Sequence, residues 1–152
     1  MKFKNAVNDG DVFKGHCKDG RKALKGSDKN LVKAVDSRRI SGSLDMDEAW
    51  RIEYPNAPRW DYCIGYDLNG GEVVYYLEVH PAETSEVSSV IEKARFLRKR
   101  MPLDAHSLWD IRRSLVWVAS GRINIPPKHA RKRKQLASEG VKGPERFLTL
   151  GK

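Results

Sequence analysis

An α/β domain with a mixed central β-sheet flanked by helices is the fold this sequence predicts, on three observations. Residues 60–67 and 73–80 are strand-like runs joined by Asn69-Gly70-Gly71, a tight-turn signal. Beyond Pro81, the residues Val87, Val90, Ile91, Ala94, Leu97 and Met101 recur at helical spacing. A further apolar run over 114–119 follows that helix and can return parallel through a right-handed crossover. At 152 residues, 39% hydrophobic and 32% charged, the chain suffices for one domain with a core and is too short for two.

In chain order, residues 1–27 read as a flexible basic N-terminal arm. Four glycines interrupt its lysines and aspartates, and only Val12-Phe13 and Ala23-Leu24 are apolar pairs. A single domain occupies 28–152. Ser27 or Asp28 is expected to cap a first helix running through Leu31, Val32 and Val35 to Arg39, broken by 41–45. Strands are expected over 49–54, 60–67 and 73–80, with Pro55 and Pro58 separating the first two. The apolar character of the last two suits burial on both faces. Pro81 should stop the third strand, Thr84 or Ser85 cap the amphipathic helix, and Pro102 end it. After the strand at 114–119, a basic helix runs from Pro126-Pro127 to Ser138, Gly140 stops it, and 147–150 form a short last strand. The first three strands make a meander and the fourth returns parallel, so helices should lie on both faces.

Charge narrows the partners. The net charge is +9, from 29 Lys and Arg against 20 Asp and Glu, which favours a polyanion. Five fixed charges fall within seven residues at Lys128, Arg131, Lys132, Arg133 and Lys134, and Arg95, Arg98 and Lys99 crowd the end of the amphipathic helix. Such clusters favour phosphate binding through counterion release, which makes these the candidate nucleic-acid contacts. Solvated helix faces are the plainer reading of the same residues. No apolar run is long enough to span a bilayer and none near the start resembles a signal core, so a cytoplasmic protein without membrane contact is expected. Cys17 and Cys63 lack metal-type spacing and read as free thiols. There is no Gly-rich phosphate loop and no Ser-His-Asp arrangement.

The chemistry concentrates on the central hairpin. Side chains at i and i+2 leave a strand on one face, so Glu78 and His80 point the same way. Across an antiparallel pair, the start of one strand lies beside the end of the other, which brings Asp61 to the same place. Two carboxylates and an imidazole suit a hard divalent cation. Glu78 sits within an apolar strand, where a carboxylate is costly unless paired or coordinated. Asp61 can instead pair with an arginine, His80 can be a surface ring, and Lys93 a solvated helix lysine. Asp36 and Glu53 are further acids, with a salt bridge from Asp36 to Arg39 or Lys33 the simpler role. The four tryptophans read as core.

The element order, Asp61, and Glu78-Val79-His80 together resemble the restriction-endonuclease-like PD-(D/E)XK nuclease superfamily over about residues 28–121. The resemblance implies an αβββαβ core and a metal-dependent nuclease acting on DNA ahead of RNA. Asp61 and Glu78 would ligate Mg²⁺ or Mn²⁺ with the Val79 carbonyl, and the basic residue of the third strand would orient or deprotonate water. Pro58 stands three residues before Asp61, and His80 takes the place of the family lysine. His80 would then be base or ligand, or Lys93 would supply the missing cation from the next helix. The alternative is a non-catalytic nucleic-acid-binding or adaptor protein on the same fold, and a homodimer or protein partner stays open.

Overall fold

The computed structural model describes residues 1–152, the side chain of Pro127 set aside. Its centre is a five-stranded mixed sheet, ordered β2 (Ile40–Asp45), β3 (Tyr62–Asp67), β4 (Glu72–Glu83), β5 (Arg113–Asn124) and β6 (Val141–Glu145), with β1 (Val32–Ala34) and β7 (Leu148–Leu150) forming a separate parallel pair. The helices are α1 (Phe3–Asn8), α2 (Met46–Trp50), α3 (Val87–Asp104), α4 (His106–Asp110) and α5 (Ala130–Ser138). β2, β3 and β4 form an antiparallel meander; β5 joins β4 and β6 joins β5 in parallel, through α3 and α5 respectively. This is the mixed α/β sheet flanked by helices that the sequence predicts.

Strand alternation divides the core. Cys63, Val74, Tyr76, Leu115 and Trp117 face one side, where the buried residues of all five helices meet them. Ile64, Tyr66, Tyr75, Leu77, Val116 and Val118 face the other, covered by Leu24, Val32, Leu148 and Leu150. The second layer is therefore the β1–β7 pair rather than helices. Trp50, Trp60 and Trp117 are fully buried and Trp109 nearly so, as core tryptophans.

Several local expectations are overturned. Residues 1–27 are not a loose arm: Phe3, Ala6, Val7 and Phe13 are buried in the main core and Leu24 in the second. Instead of a helix over 28–39 there are two short 3₁₀ turns around β1, because Val32 is drawn into pairing with Leu148. The first meander strand lies at Ile40–Asp45, where a break was expected, and α2 takes in residues 49–50 of the strand expected over 49–54. The Asp45 carboxylate accepts a hydrogen bond from the Glu48 N–H at 3.0 Å, an N-cap that starts α2. Pro81 does not stop β4; a register shift between His80 and Ala82 absorbs its missing donor. No side chain of Thr84 or Ser85 caps α3, and Pro102 sits inside the last turn of that helix. The polar stretch after it contains α4, and β6 was unforeseen. Among the described residues, no helix is long and apolar enough to cross a membrane.

Candidate active site

Tyr62 pairs with Leu77 on the last antiparallel rung between β3 and β4, and Asp61 and Glu78 stand one rung beyond it. There the main-chain ladder gives way to side chains. The Asp61 N–H donates to Glu78 Oε1 at 3.2 Å, and the Val79 N–H donates to Asp61 Oδ2 at 2.9 Å. Each carboxylate thus binds the backbone of the other's strand, which fixes both side by side on the helix-covered face. The register that does this is set by the Asn69-Gly70 turn, where Asn69 takes φ +68°.

Glu78 is wholly buried and carries two basic partners. Lys93, from the second turn of α3, donates to Oε2 at 2.6 Å. His80 Nδ1 lies 3.4 Å from the same oxygen, and its Nε2 lies 2.7 Å from Glu86 Oε2, in the turn before α3. The four residues of the sequence-predicted site, Asp61, Glu78, His80 and Lys93, are therefore together at one end of the sheet.

The electrostatics follow from that crowding. Burial, then the neighbouring Glu78 charge, push the Asp61 carboxyl up to about 7, against the opposing pull of Lys93 and the Val79 N–H. The hydrogen bond to Glu78 raises the His80 pKa, with Glu86 adding to it and burial opposing. Burial works against the Lys93 ammonium, but the charge and hydrogen bond of Glu78, with Asp61, outweigh it and raise its pKa. A carboxylate lies near each ring nitrogen of His80, and both favour its protonated form.

The donor set fits a hard cation. Two adjacent carboxylates repel unless positive charge lies between them, and Asp61 Oδ1 accepts no hydrogen bond from the described residues while Oδ2 does. Among the described residues no third His, Cys, Asp or Glu completes a metal-ligand cluster. Mg²⁺ is commonly held by only one or two carboxylates, with water and phosphate completing its shell. Asp61 and Glu78 are the two carboxylates here that could supply such a pair.

Sequence reasoning missed two acids here. The negative charge of Asp47, on α2, acts on both Asp61 and Lys93, while its carboxylate pairs with Arg59 at 2.9 Å and Arg51 at 3.2 Å. Its signal was the Asp-x-x-Glu helix start at 45–48. The other is Glu86, in the turn before α3. Asp36 instead makes surface ion pairs with Arg38 and Arg39, and Glu53 is exposed.

The basic candidates divide. Lys128, Arg131, Arg133 and Lys134 are exposed at and just before the start of α5, and Lys132 Nζ reaches the Thr84 carbonyl at 3.5 Å, beside the turn carrying Glu86. This places the helix start at the acidic end of the sheet. Arg133 also ties back to the Ile125 carbonyl at 2.9 Å. Arg95 is committed to Glu139 at 2.7 Å, Arg98 donates to the Glu139 carbonyl, and Lys99 is exposed. These three lie farther down α3, away from Glu78. No protein-family model matches the chain, and no curated protein or solved structure is significantly similar to it.

Proposed function

We propose that the protein is a metal-dependent nuclease acting on DNA, with Lys93 in the role of the motif lysine whose place in the sequence His80 takes. The observation that carries this reading is the Lys93 ammonium 2.6 Å from Glu78, beside the Asp61 carboxylate, at the end of β4. A lysine reaching in from the following helix supplies the same fixed positive charge at the same carboxylate as one two residues along the strand.

Asp61 and Glu78 would hold Mg²⁺ or Mn²⁺, which when bound lowers the pKa of water and offsets charge on the phosphoryl oxygens. Lys93 stays protonated at neutral pH, so it acts by orienting water and binding a non-bridging phosphate oxygen rather than by taking a proton. His80 is a positioning residue that braces Glu78 against Glu86. Lys128, Arg131 and Lys134 would hold flanking phosphates, since they share the acidic end of the sheet and point to solvent.

The test is cleavage of plasmid and oligonucleotide DNA with each ion. Glu78→Gln and Asp61→Asn should abolish it, and Lys93→Ala should lower kcat by at least about a hundredfold with the fold intact. His80→Ala should cost less. Absence of cutting on both DNA and RNA, with either ion, would sink the nuclease reading.

One observation favours a non-catalytic binder instead: Lys93 and His80 already neutralise Glu78 without any metal. That reading expects salt-sensitive DNA binding unaffected by Glu78→Gln, and no heat on titration with Mn²⁺.

A further inference from the structure

At the opposite end of the sheet, where β4 and β5 begin, lies a cleft of about 570 Å³. Five of its lining residues are cationic: Arg98 from α3, Arg112 and Arg113 at the start of β5, Lys142 on β6, and Lys152 after β7. It also takes in Val73 and Tyr75, which precede Glu78 on β4 by five and three residues, so about 10–16 Å separates it from the acidic cluster.

Among the described residues, no acidic side chain lines this cleft, and none of the five cations makes an ion pair. Several arginines elsewhere are paired, Arg38 with Asp36, Arg59 with Asp47, Arg95 with Glu139 and Arg100 with Asp104. Converging cations without a counter-charge repel one another, and that cost is recovered when an anion sits among them.

Two of the guanidinium groups are held in advance. Arg113 lies 3.8 Å from the Trp109 ring centre and donates one N–H to the Trp109 carbonyl at 2.7 Å. Arg98 donates its Nε–H to the Glu139 carbonyl at 3.2 Å, and its Nη2 packs where a side chain on Gly140 would begin. Gly140 has φ +73°, so the backbone and the space both require glycine there. Each guanidinium keeps several donors free, in the planar fork that matches phosphate. Arg112 and Lys142 are exposed and make no side-chain hydrogen bond to the described residues. An adjoining cleft of about 230 Å³ shares Lys142 and Tyr75 and adds Glu145 and the partly exposed Phe147, giving an aromatic edge next to the cationic wall.

We propose that this cleft is an anion site for a ligand carrying two or more closely spaced phosphates, a nucleotide or the phosphorylated end of a nucleic acid. One phosphate would leave most of the five cations unmatched, and the volume accommodates a mononucleotide. The site is independent of the nuclease reading, because none of its residues belongs to the acidic cluster.

Inorganic tripolyphosphate, a nucleoside triphosphate, and a short oligonucleotide with and without a 5′-phosphate are titrated into the full chain by calorimetry at low and moderate salt. Tripolyphosphate should bind, and Arg112→Glu/Lys142→Glu should weaken it by at least about tenfold with the melting curve retained. Should the reversal disturb folding, Arg112→Ala/Lys142→Ala gives the same comparison with a smaller expected loss. Glu78→Gln should leave the affinity unchanged, which separates this site from the other. Displacement of tripolyphosphate by the triphosphate alone identifies a nucleotide as the source; displacement by the 5′-phosphorylated oligonucleotide, and not by its unphosphorylated twin, identifies a nucleic-acid end. Failure of every probe to bind at millimolar concentration, or binding indifferent to both double variants, overturns the proposal.

Discussion

Asp61 holds its proton up to about pH 7, whereas its ordinary value is 3.8. Between those values the unfolded chain has released a proton that the folded chain retains, so stability falls as pH rises through that window. The whole effect amounts to about 4 kcal/mol at most, since each tenfold change in proton affinity corresponds to roughly 1.4 kcal/mol. The raised pKa of His80 acts in the same direction: its stabilisation is complete below the ordinary histidine value and is lost as pH rises through the folded one. Urea unfolding at pH 5 and pH 8 should therefore show lower stability at pH 8. Asp61→Asn should remove much of that difference; a pH dependence as steep as the wild type's would refute the assignment to Asp61. Divalent ions should stabilise the wild type at pH 8 and leave Asp61→Asn unmoved. These residues were legible in the sequence because an antiparallel register, once fixed by Asn69-Gly70-Gly71, dictates that Asp61 lies opposite Glu78. Lys93 was legible only through the resemblance, as a cation from the next helix in place of the missing lysine. The Glu86 partner of His80 was not, since the 3₁₀ turn that aims it leaves no periodic trace.

Short elements carry much of the framework, and they were the least legible. α2 has five residues and β1 three, too few for a period to emerge. Tertiary pairing decided their state: Val32 joins a strand formed by residues far along the chain. A local signal did exist at α2, where Asp45 caps the helix three residues ahead of Glu48. Asp45→Ala should cost about 1 kcal/mol in thermal or chemical unfolding. It should also loosen Asp47 and hence the acidic site, measurable as a change in the Asp61 titration by NMR. The placement of α1 has a sharper test. A Cβ on Gly65 of β3 would come within 2.5 Å of Phe3 Cβ, so helix and sheet touch through a glycine. Gly65→Ala should destabilise the fold by about 2–3 kcal/mol. Combining it with Phe3→Ala should cost less than the two single changes added together, the coupling expected of residues in contact. Strict additivity would show that α1 does not pack there.

Taken whole, the molecule separates its charge into two poles. Acids cluster where β4 ends, flanked by the exposed cations of α5, and unpaired arginines cluster where β5 begins. If α5 grips phosphates, neutralising Arg131 and Lys134 should flatten the log K against log salt slope for DNA by about two. The same change at Arg95 should do little, because Glu139 already neutralises it. A slope unaltered by the first change would remove α5 from the binding surface. The middle of the sheet, β3, β4 and β5, was readable, since long apolar runs and one strong helix determine it; its two edge strands and the covering of its second face were not. That cover is a parallel pair between Val32–Ala34 and Leu148–Leu150, stretches made more than a hundred residues apart. A ribosome delivers them at the beginning and the end of this span. Until the later one emerges, Tyr66, Tyr75, Leu77 and Val118 lack the Leu148 and Leu150 part of their cover, and the nascent sheet presents exposed apolar surface to chaperones and neighbouring chains. Completion of the fold is thus timed by synthesis itself, and a chain stalled before Leu148 would be released sticky rather than merely shortened.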